Sequence, residues 1–350
     1  MYLIKKLLNL IFKNLLDPSP LPLNIIKKKI IKYKSFYTNN DFEIKNFGEL
    51  NKNKIFYVIK RTPGTGLFSN VTFVLNHLAI ANKFNYIPIV DMENYITIYN
   101  EKDPIRKNYN SWEYYFDQLS DHNLNEVYKS NKVIITRDKF FSFFKYNLDK
   151  DNELKNLFKN KIIINKYIKK VSEHIIKKEF NERILGVHFR GTSYKRSAGH
   201  PFPATKKQMI YNVNKIMEEK KIDKIFLATE EKEYLELFLN KFKDKIFYIK
   251  SSYVSNKNDA FKIYPRTNHR YKLGRDILIE TLLLSQCDYF IYVNSNVSSA
   301  AIASNLNNNQ ERFEIKNGFN SKNRFVSQIL WYLKKSLPEK FGGFKTDQLF

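Results

Sequence analysis

The sequence has little cysteine: Cys287 is the single one among 350 residues. The chain can therefore form no intrachain disulfide, and it contains no CxxC metal motif. It also lacks any apolar run near the ~20 residues that a membrane-spanning helix needs. Cys287 lies in the apolar run LLLSQCDYF, which predicts a buried structural thiol rather than a nucleophile. These absences favour a protein of a reducing compartment, and we expect a cytoplasmic location.

Acidic residues are scarce relative to basic ones. The chain has 35 Asp and Glu against 60 Lys and Arg, which gives a formal net charge of +25. Such an excess favours phosphate-rich or membrane-surface partners, although many of these lysines can be simply solvated. The same charge leaves open a nucleic-acid-binding protein. Against it, the cations are spread along the chain and no RNA- or DNA-binding motif is present, so we expect no nucleic-acid partner.

Residues 1–37 are predicted to form a basic leader. Lysines interrupt its apolar stretch and no small-residue cleavage site follows, which argues against a signal peptide. The spacing predicts an amphipathic helix that lies on an anionic membrane or packs on the protein's own body. Lys27, Lys28 and Lys29 favour the membrane surface. The apolar positions at helical spacing are Ile4, Leu7, Leu8, Ile11 and Leu15.

Residues 38–178 are predicted to form a first Rossmann-like domain. Lys54–Arg61 (KIFYVIKR) is typical of a buried strand, Val71–Lys83 of a helix, and Ile87–Val90 of a second strand. The loop before the helix contains Gly64 and Gly66, with Asn70 close behind, and is neither GxGxxG nor a Walker A motif. A helix start after such a loop can receive an anionic group, or the glycines can serve the turn alone.

The same half has an aromatic and acidic stretch, Asn110–Ser120, which is predicted to be a helix near an acceptor cleft. Its aromatic residues are more often core than ligand platform. Lys132–Thr136 is predicted to be a strand, and residues 149–180 have helical patterning.

Residues 179–325 are predicted to form a second Rossmann-like domain, and residues 326–350 a C-terminal helix and tail. Short strands alternate with helices, which indicates a parallel sheet. The strands Ile184–Val187, Ile225–Thr229 and Tyr289–Val293 each end in polar residues, which should therefore meet at one edge. Gly274–Asp276 is predicted to cap a helix that begins at Ile277, and Ser251–Lys272 to be a flexible connection.

These strand ends carry a resemblance to a known family. HFRGTSYKR, from His188, is similar to the HxRxTD-type motif of the α1,6-/O-fucosyltransferase superfamily, and ATEE, from Ala228, to its S/T-D-D strand end. GRDILIETLLLSQCDYFIYVNSNVSSAAI, from Gly274, resembles its third block. The resemblance covers residues 184–305, and in the first half only the glycine loop is similar. It implies an α/β GT-B fold, in which two Rossmann-like parallel-sheet domains face a cleft, with a GDP-sugar donor and no metal or other cofactor.

The resemblance also implies roles for individual residues. Arg190 would bind the donor β-phosphate and stabilise the leaving GDP. Gly64, Gly66 and Asn70 would form an acceptor-side loop. The structural alternatives are a satisfied core histidine for His188 and an ordinary helix residue for Glu280. The donor-binding residues would be His188, Gly191, Thr192, Lys195, Thr229, Glu230, Glu280, Ser295, Asn296, Val297 and Ser298.

The general base is the part of the family pattern that this sequence does not supply. Ser193 stands where the family has an aspartate, and Ala198 and its neighbours provide no carboxylate. An inverting transfer needs one base near the acceptor hydroxyl. Glu93 and Asp91, which follow a strand that faces the cleft, are the preferred candidates, and His200 comes next; each can instead have a structural role such as helix capping.

The sequence therefore predicts an inverting, metal-independent glycosyltransferase of the GT-B fold. It would transfer fucose or a related sugar from GDP to a glycan or lipid-linked glycan, for example a bacterial surface-glycan precursor, as a peripheral protein on the inner face of the membrane. Because acids of the family are absent, a catalytically inactive, glycan-binding transferase fold remains the alternative, beside the basic nucleic-acid-binding protein.

Overall fold

The computed structural model of the protein describes residues 42–141, 143–305, 309–347 and 349. The basic leader predicted for residues 1–37 lies outside them. Within the described part, the chain forms two β-sheets with helices packed around them, one sheet from each half of the chain. This confirms the predicted α/β class. The predicted domain boundaries remain a prediction.

The first sheet has the strand order β1-β4-β2-β3. Strands β2, β3 and β4 are parallel to one another, whereas β1 runs antiparallel to β4, so this sheet is mixed. The elements are β1 (Phe42–Lys45), β2 (Leu50–Ile59), α1 (Leu67–Lys83), β3 (Ile87–Val90), α2 (Leu124–Val127), β4 (Ser130–Thr136), α3 (Asn152–Lys161) and α4 (Lys166–Glu179).

The second sheet is parallel throughout, with the order β7-β6-β5-β8-β9. Its central strand β5 is buried along its whole length, as its short apolar run predicts. The elements are β5 (Ile184–His188), α5 (Lys206–Lys220), β6 (Lys224–Ala228), α6 (Lys232–Phe242), β7 (Ile246–Phe247), α7 (His269–Gln286), β8 (Tyr289–Tyr292), α8 (Asn296–Ser304), β9 (Glu311–Glu314) and α9 (Arg324–Ser336).

The two halves share a hydrophobic core. Helices α1 and α3 of the first half pack on α8, and α4 packs on α7. The buried face of α1 and the buried residues of α7 and α8 belong to one continuous apolar cluster. Cys287 is buried in it, where its thiol donates to the Leu283 carbonyl oxygen at 3.4 Å and contacts strand β5 at Gly186. This confirms the predicted structural thiol.

Two predicted features are wrong. Asn110–Ser120 forms turns rather than a helix, because the Asn110 side chain bonds the backbone of Val90, Met92 and Trp112 and holds the segment irregular. Gly274–Asp276 does not cap a helix: α7 begins at His269 and continues through Gly274. That glycine is required there because a Cβ would overlap the Tyr115 ring of the first half.

Among the described residues, no helix is both long and apolar enough to span a membrane.

Candidate active site

The carboxyl ends of three parallel strands meet at the centre of the second sheet. His188, the last residue of β5, is in register with Ala228 at the end of β6 and with Tyr292 at the end of β8. The polar segments that follow these strands therefore lie side by side, as the sequence predicts. In open α/β sheets this edge is where ligands bind.

Arg190 lies two residues beyond β5 at this edge. Its Nε donates to Glu230 Oε1 at 3.1 Å, and its guanidinium lies 4.3 Å from the centre of the Tyr194 ring. Its side chain is 31 % exposed, so it is oriented by neighbours and still reaches solvent. A guanidinium held in this way is preorganised for a phosphate oxygen.

His188 is buried two residues before Arg190, and its Nδ1 has no hydrogen-bond partner among the described groups. Burial, and then the charge of Arg190, lowers the pKa of His188 to about 3. The imidazole is therefore neutral at physiological pH. A buried, unsatisfied ring nitrogen is not the satisfied core histidine of the structural alternative, and it can bond a ligand that enters at the strand end.

Lys195 is held away from solvent by an ion pair. Its Nζ lies 2.6 and 2.9 Å from the two carboxylate oxygens of Glu231, and both side chains are largely buried. Glu231 in turn lies against Gly191, where a Cβ would be only 2.6 Å from the carboxylate. The glycine after Arg190 is thus required by this ion pair. Thr192 begins the 3-10 turn Thr192–Lys195 that carries the lysine.

Glu280 lies on α7 near Glu230, and Ser252 donates to its Oε1 at 2.7 Å. Burial raises the pKa of Glu280 to about 8, with smaller contributions from Asp276 and Glu230. The group is therefore protonated near neutral pH and can donate as well as accept. Thr229 accepts a hydrogen bond from the Glu231 backbone, so it shapes the β6 end.

The segment after β8 forms the beginning of α8. Ser295 is the N-cap. Its hydroxyl accepts a hydrogen bond from Ser298 N, and the Ser298 hydroxyl accepts one from Ser295 N. This reciprocal capping box fixes the helix start. Both hydroxyls are therefore occupied, and the first-turn backbone groups of Asn296 and Val297 are what this segment can present to an anion.

A basic groove, which the sequence analysis did not predict as a site, opens beside Glu280. It has a volume of about 600 Å³ and is lined by eight residues: Lys250, Ser251, Ser252, Tyr253, Val254, Arg266, Lys272 and Arg275. Arg266 and Arg275 both pair with Asp276, at 2.8 and 2.6 Å. Four cations on the wall give the groove a positive charge suited to phosphates. The signal in the sequence was the density of Lys and Arg after β7.

The glycine loop of the first half lies at the carboxyl end of β2. Asn70 closes it by accepting from Thr65 N at 3.0 Å and donating to Thr65 O. Gly64 has φ +73° and would contact the Asn70 amide if it carried a Cβ, which explains this glycine. Gly66 is the N-cap of α1 and has open space around it.

Tyr99 bonds the start of the helix that follows this loop and lies near Arg190. Its hydroxyl accepts from the Leu67 backbone at the start of α1. Burial raises the pKa of Tyr99, and both Arg190 and Glu230 are near enough to influence it. The start of α1 and the carboxyl end of β5 therefore lie close together, between the two halves of the chain. No motif in the sequence indicates Tyr99 as a site residue.

The three candidate bases have different environments. Asp91 is fully buried and accepts from Glu93 N, Asn94 N, Asn94 Nδ2 and the Tyr128 hydroxyl, so its carboxylate holds a turn. Glu93 is exposed on that turn. The partial burial of its carboxyl group, and then the charges of Asp91 and Glu113, raise the pKa of Glu93.

His200 is exposed and contacts Tyr194, with the ring centres 5.1 Å apart. Since Tyr194 also stacks on Arg190, the structure brings His200 close to the arginine. Partial burial, and then Arg190, lowers the pKa of His200. A neutral imidazole at the mouth of this site can accept a proton.

No protein-family model matches the sequence, and no curated protein matches it significantly. Several solved structures do align with this chain. NodZ α-1,6-fucosyltransferase crystallised with GDP aligns over 75 % of this chain and 96 % of its own, with 14 % identity and a TM-score of 0.49. Fucosyltransferase NodZ from Bradyrhizobium aligns over 71 and 92 %, with 15 % identity and a TM-score of 0.45.

POFUT1 in complex with GDP aligns over 75 % of this chain and 98 % of its own, with 10 % identity and a TM-score of 0.46. FUT1 from Arabidopsis thaliana aligns over 77 and 72 %, with 11 % identity and a TM-score of 0.40. The fold of this chain is similar to that of these fucosyltransferases.

Proposed function

We propose that this protein is a metal-independent, inverting glycosyltransferase that uses a GDP-sugar donor. The observation that carries the proposal is the arrangement at the β5 end: Arg190 is held by Glu230 beside a neutral, unsatisfied His188. A cation next to neutral hydrogen-bonding groups at the carboxyl edge of a parallel sheet suits the diphosphate and base of a nucleotide.

The proposed chemistry of the leaving group depends on Arg190. When the sugar–phosphate bond breaks, negative charge develops on the β-phosphate of GDP, and a fixed guanidinium stabilises that charge without a metal. The basic groove beside Glu280 supplies further cations near the diphosphate. Lys195 has a different role in this proposal, because its ion pair with Glu231 keeps the Arg190 segment in place rather than binding the donor.

We assign the general base to His200. An inverting transfer needs a base that deprotonates the acceptor hydroxyl as that oxygen attacks the anomeric carbon. His200 is exposed and reaches the Arg190 cluster through Tyr194, whereas Asp91 has its carboxylate occupied by the turn. Glu93 is the second candidate.

The finer assignments follow the resemblance. The donor sugar is fucose, and the acceptor is a glycan or lipid-linked glycan, such as a bacterial surface-glycan precursor. The glycine loop with Gly64, Gly66 and Asn70 lies on the acceptor side. The basic leader brings the protein to the inner face of the membrane as a peripheral protein.

The donor is tested by thermal unfolding with GDP-fucose, GDP-mannose, UDP-sugars and CMP-sugars, each with and without EDTA. A ligand that binds only the folded state at 100 times its Kd stabilises by about 2.7 kcal/mol, which a melting curve resolves. We expect GDP compounds to raise the Tm equally in both conditions. Stabilisation by UDP- or CMP-sugars alone, or its loss in EDTA, would refute the donor assignment.

Arg190→Ala tests the leaving-group role. We expect a folded protein whose transfer rate falls by about 10²- to 10³-fold, the cost of removing one preorganised charge-stabilising group. Arg183→Ala is the matched control, since Arg183 precedes the opposite end of β5 and its guanidinium donates to the Lys220 carbonyl oxygen, away from the candidate site. An Arg190→Ala enzyme as active as Arg183→Ala would contradict the assignment.

A further inference from the structure

Helix α9 has an apolar face that the described residues leave exposed. The exposed fractions are 41 % for Val326, 57 % for Ile329 and 53 % for Leu333, and Leu337 follows at 45 %. These positions recur at a spacing of three to four residues, so they form one stripe along the helix. The opposite face is buried through Ser327 and Trp331.

Cations lie on both sides of this stripe. On the helix, the 100° rotation per residue places Lys334 on one flank and Tyr332 on the other, where the Arg196 guanidinium lies 5.5 Å from the centre of the Tyr332 ring. Between residues 316 and 346 the sequence has seven Lys and Arg and one acid, Glu339. Beyond the helix, Phe341 is 66 % exposed, with the Lys340 ammonium 5.1 Å from its ring centre. An apolar stripe between basic flanks is typical of a helix that lies in a membrane interface.

The charge distinguishes between the possible occupants of this face. The leader, residues 1–37, is itself basic, with eight lysines and one acid, and would be repelled by the flanks of α9. A second copy of the chain would bring the same cations into contact with themselves across an isologous interface. An anionic lipid surface offers hydrocarbon to the stripe and negative charge to the flanks.

We propose that α9 is a membrane-docking helix that inserts its apolar stripe into an anionic lipid surface. This surface is separate from the leader. The buried side of α9 is fixed to the segment that carries the candidate site: Trp331 Nε1 donates to Pro203 O at 3.0 Å, and the Lys195 ammonium is 5.4 Å from the Trp331 ring. Docking through α9 therefore places the Arg190 segment near the lipid surface.

The first test is co-sedimentation of the full chain with vesicles of phosphatidylcholine, with and without phosphatidylglycerol. We expect binding to the anionic vesicles alone, weaker at high salt. Ile329→Asn with Leu333→Asn should weaken it about tenfold or more, because the apolar insertion is lost. Ile163→Asn with Val171→Asn is the matched control, since Ile163 and Val171 are 57 and 45 % exposed in the first half. Equal binding by both double variants would overturn the proposal.

A second measurement separates α9 from the leader. Cys287 is buried, so a thiol dye attached to Ile329→Cys reports on α9 alone. We expect the emission of an environment-sensitive dye to shift to the blue on anionic vesicles, while the dye on Val171→Cys does not change. Vesicle binding without a shift at position 329 would mean that the leader binds instead, which overturns the proposal.

Two further outcomes would also overturn it. A blue-shifted emission at position 329 before lipid is added would show that the chain itself covers the stripe. A dimer in light scattering that Ile329→Asn with Leu333→Asn dissolves, without any response to vesicles, would assign the face to a second copy. The inference is independent of the proposed transferase activity, because the double variant should keep its full Tm increase with GDP.

Discussion

The ion pair between Lys195 and Glu231 gives the sharpest prediction for stability. The two side chains are 14 and 6 % exposed, and the ammonium lies 2.6 and 2.9 Å from the two carboxylate oxygens. Glu231→Gln keeps the shape but leaves a buried ammonium without its counter-charge. Removing one partner of a buried ion pair costs about 3–5 kcal/mol of folding free energy. We expect the free energy of unfolding, measured in urea, to fall by that amount.

Two variants make the reasoning refutable. Glu173→Gln is the matched control, because Glu173 and Lys169 form an ion pair at the surface, where their side chains are 59 and 66 % exposed. Removing that carboxylate should cost about 0.5 kcal/mol or less. Glu231→Gln with Lys195→Met removes both charges, and should recover most of the loss. The reasoning is refuted if Glu231→Gln is as mild as Glu173→Gln. If Lys195→Met instead lowers GDP binding without lowering stability, Lys195 is a donor ligand.

Three more predictions concern the same site. Gly191→Ala should cost about 1–3 kcal/mol in urea unfolding, because its Cβ would be 2.6 Å from the Glu231 carboxylate; an unchanged midpoint would contradict the tight contact. His200→Gln should lower kcat by about 10²- to 10⁴-fold and abolish the acidic limb of the pH–rate profile. That limb lies below pH 6.5 because the pKa of His200 is lowered. A retained limb would favour Glu93 as the base. Burial raises the pKa of Glu280 from 4.5 to about 8, so between these pH values the folded state holds a proton that the unfolded state has lost, and stability falls as the pH rises. Glu280→Gln should remove this dependence of the unfolding free energy on pH in urea titrations. A dependence that persists in the variant would refute the role of Glu280.

Most regular elements could be predicted from the sequence because their patterns are local. The strand Ile87–Val90 has the bounds that its apolar run predicts, and the helix predicted at Val71–Lys83 lies within α1. The short buried runs of β3 and β5 were equally clear. The edge strands β1 and β9 escaped prediction because they are four residues long and mixed in polarity. The helical prediction for Asn110–Ser120 failed because tertiary bonds of Asn110 override its periodicity.

Helix α7 shows why a local signal can mislead. Gly274 next to a charged pair predicts a helix start, since glycine weakens a helix interior by about 1 kcal/mol. The structure keeps the helix continuous because the Tyr115 ring of the first half occupies the space of the missing side chain. That contact joins residues 159 positions apart in the chain, so no window of the sequence contains it.

The same limit applies at the candidate site. The sequence placed Arg190, His188 and the strand ends at one edge, because the order of strands and helices dictates that edge. It placed both Arg190 and Lys195 at the donor, since both are cations after the same strand. Their carboxylates distinguish them: Glu230 holds an arginine that reaches solvent, whereas Glu231 buries a lysine. Burial therefore distinguishes the two cations, because the adjacent acids at the end of β6 hold one at the surface and the other in the interior.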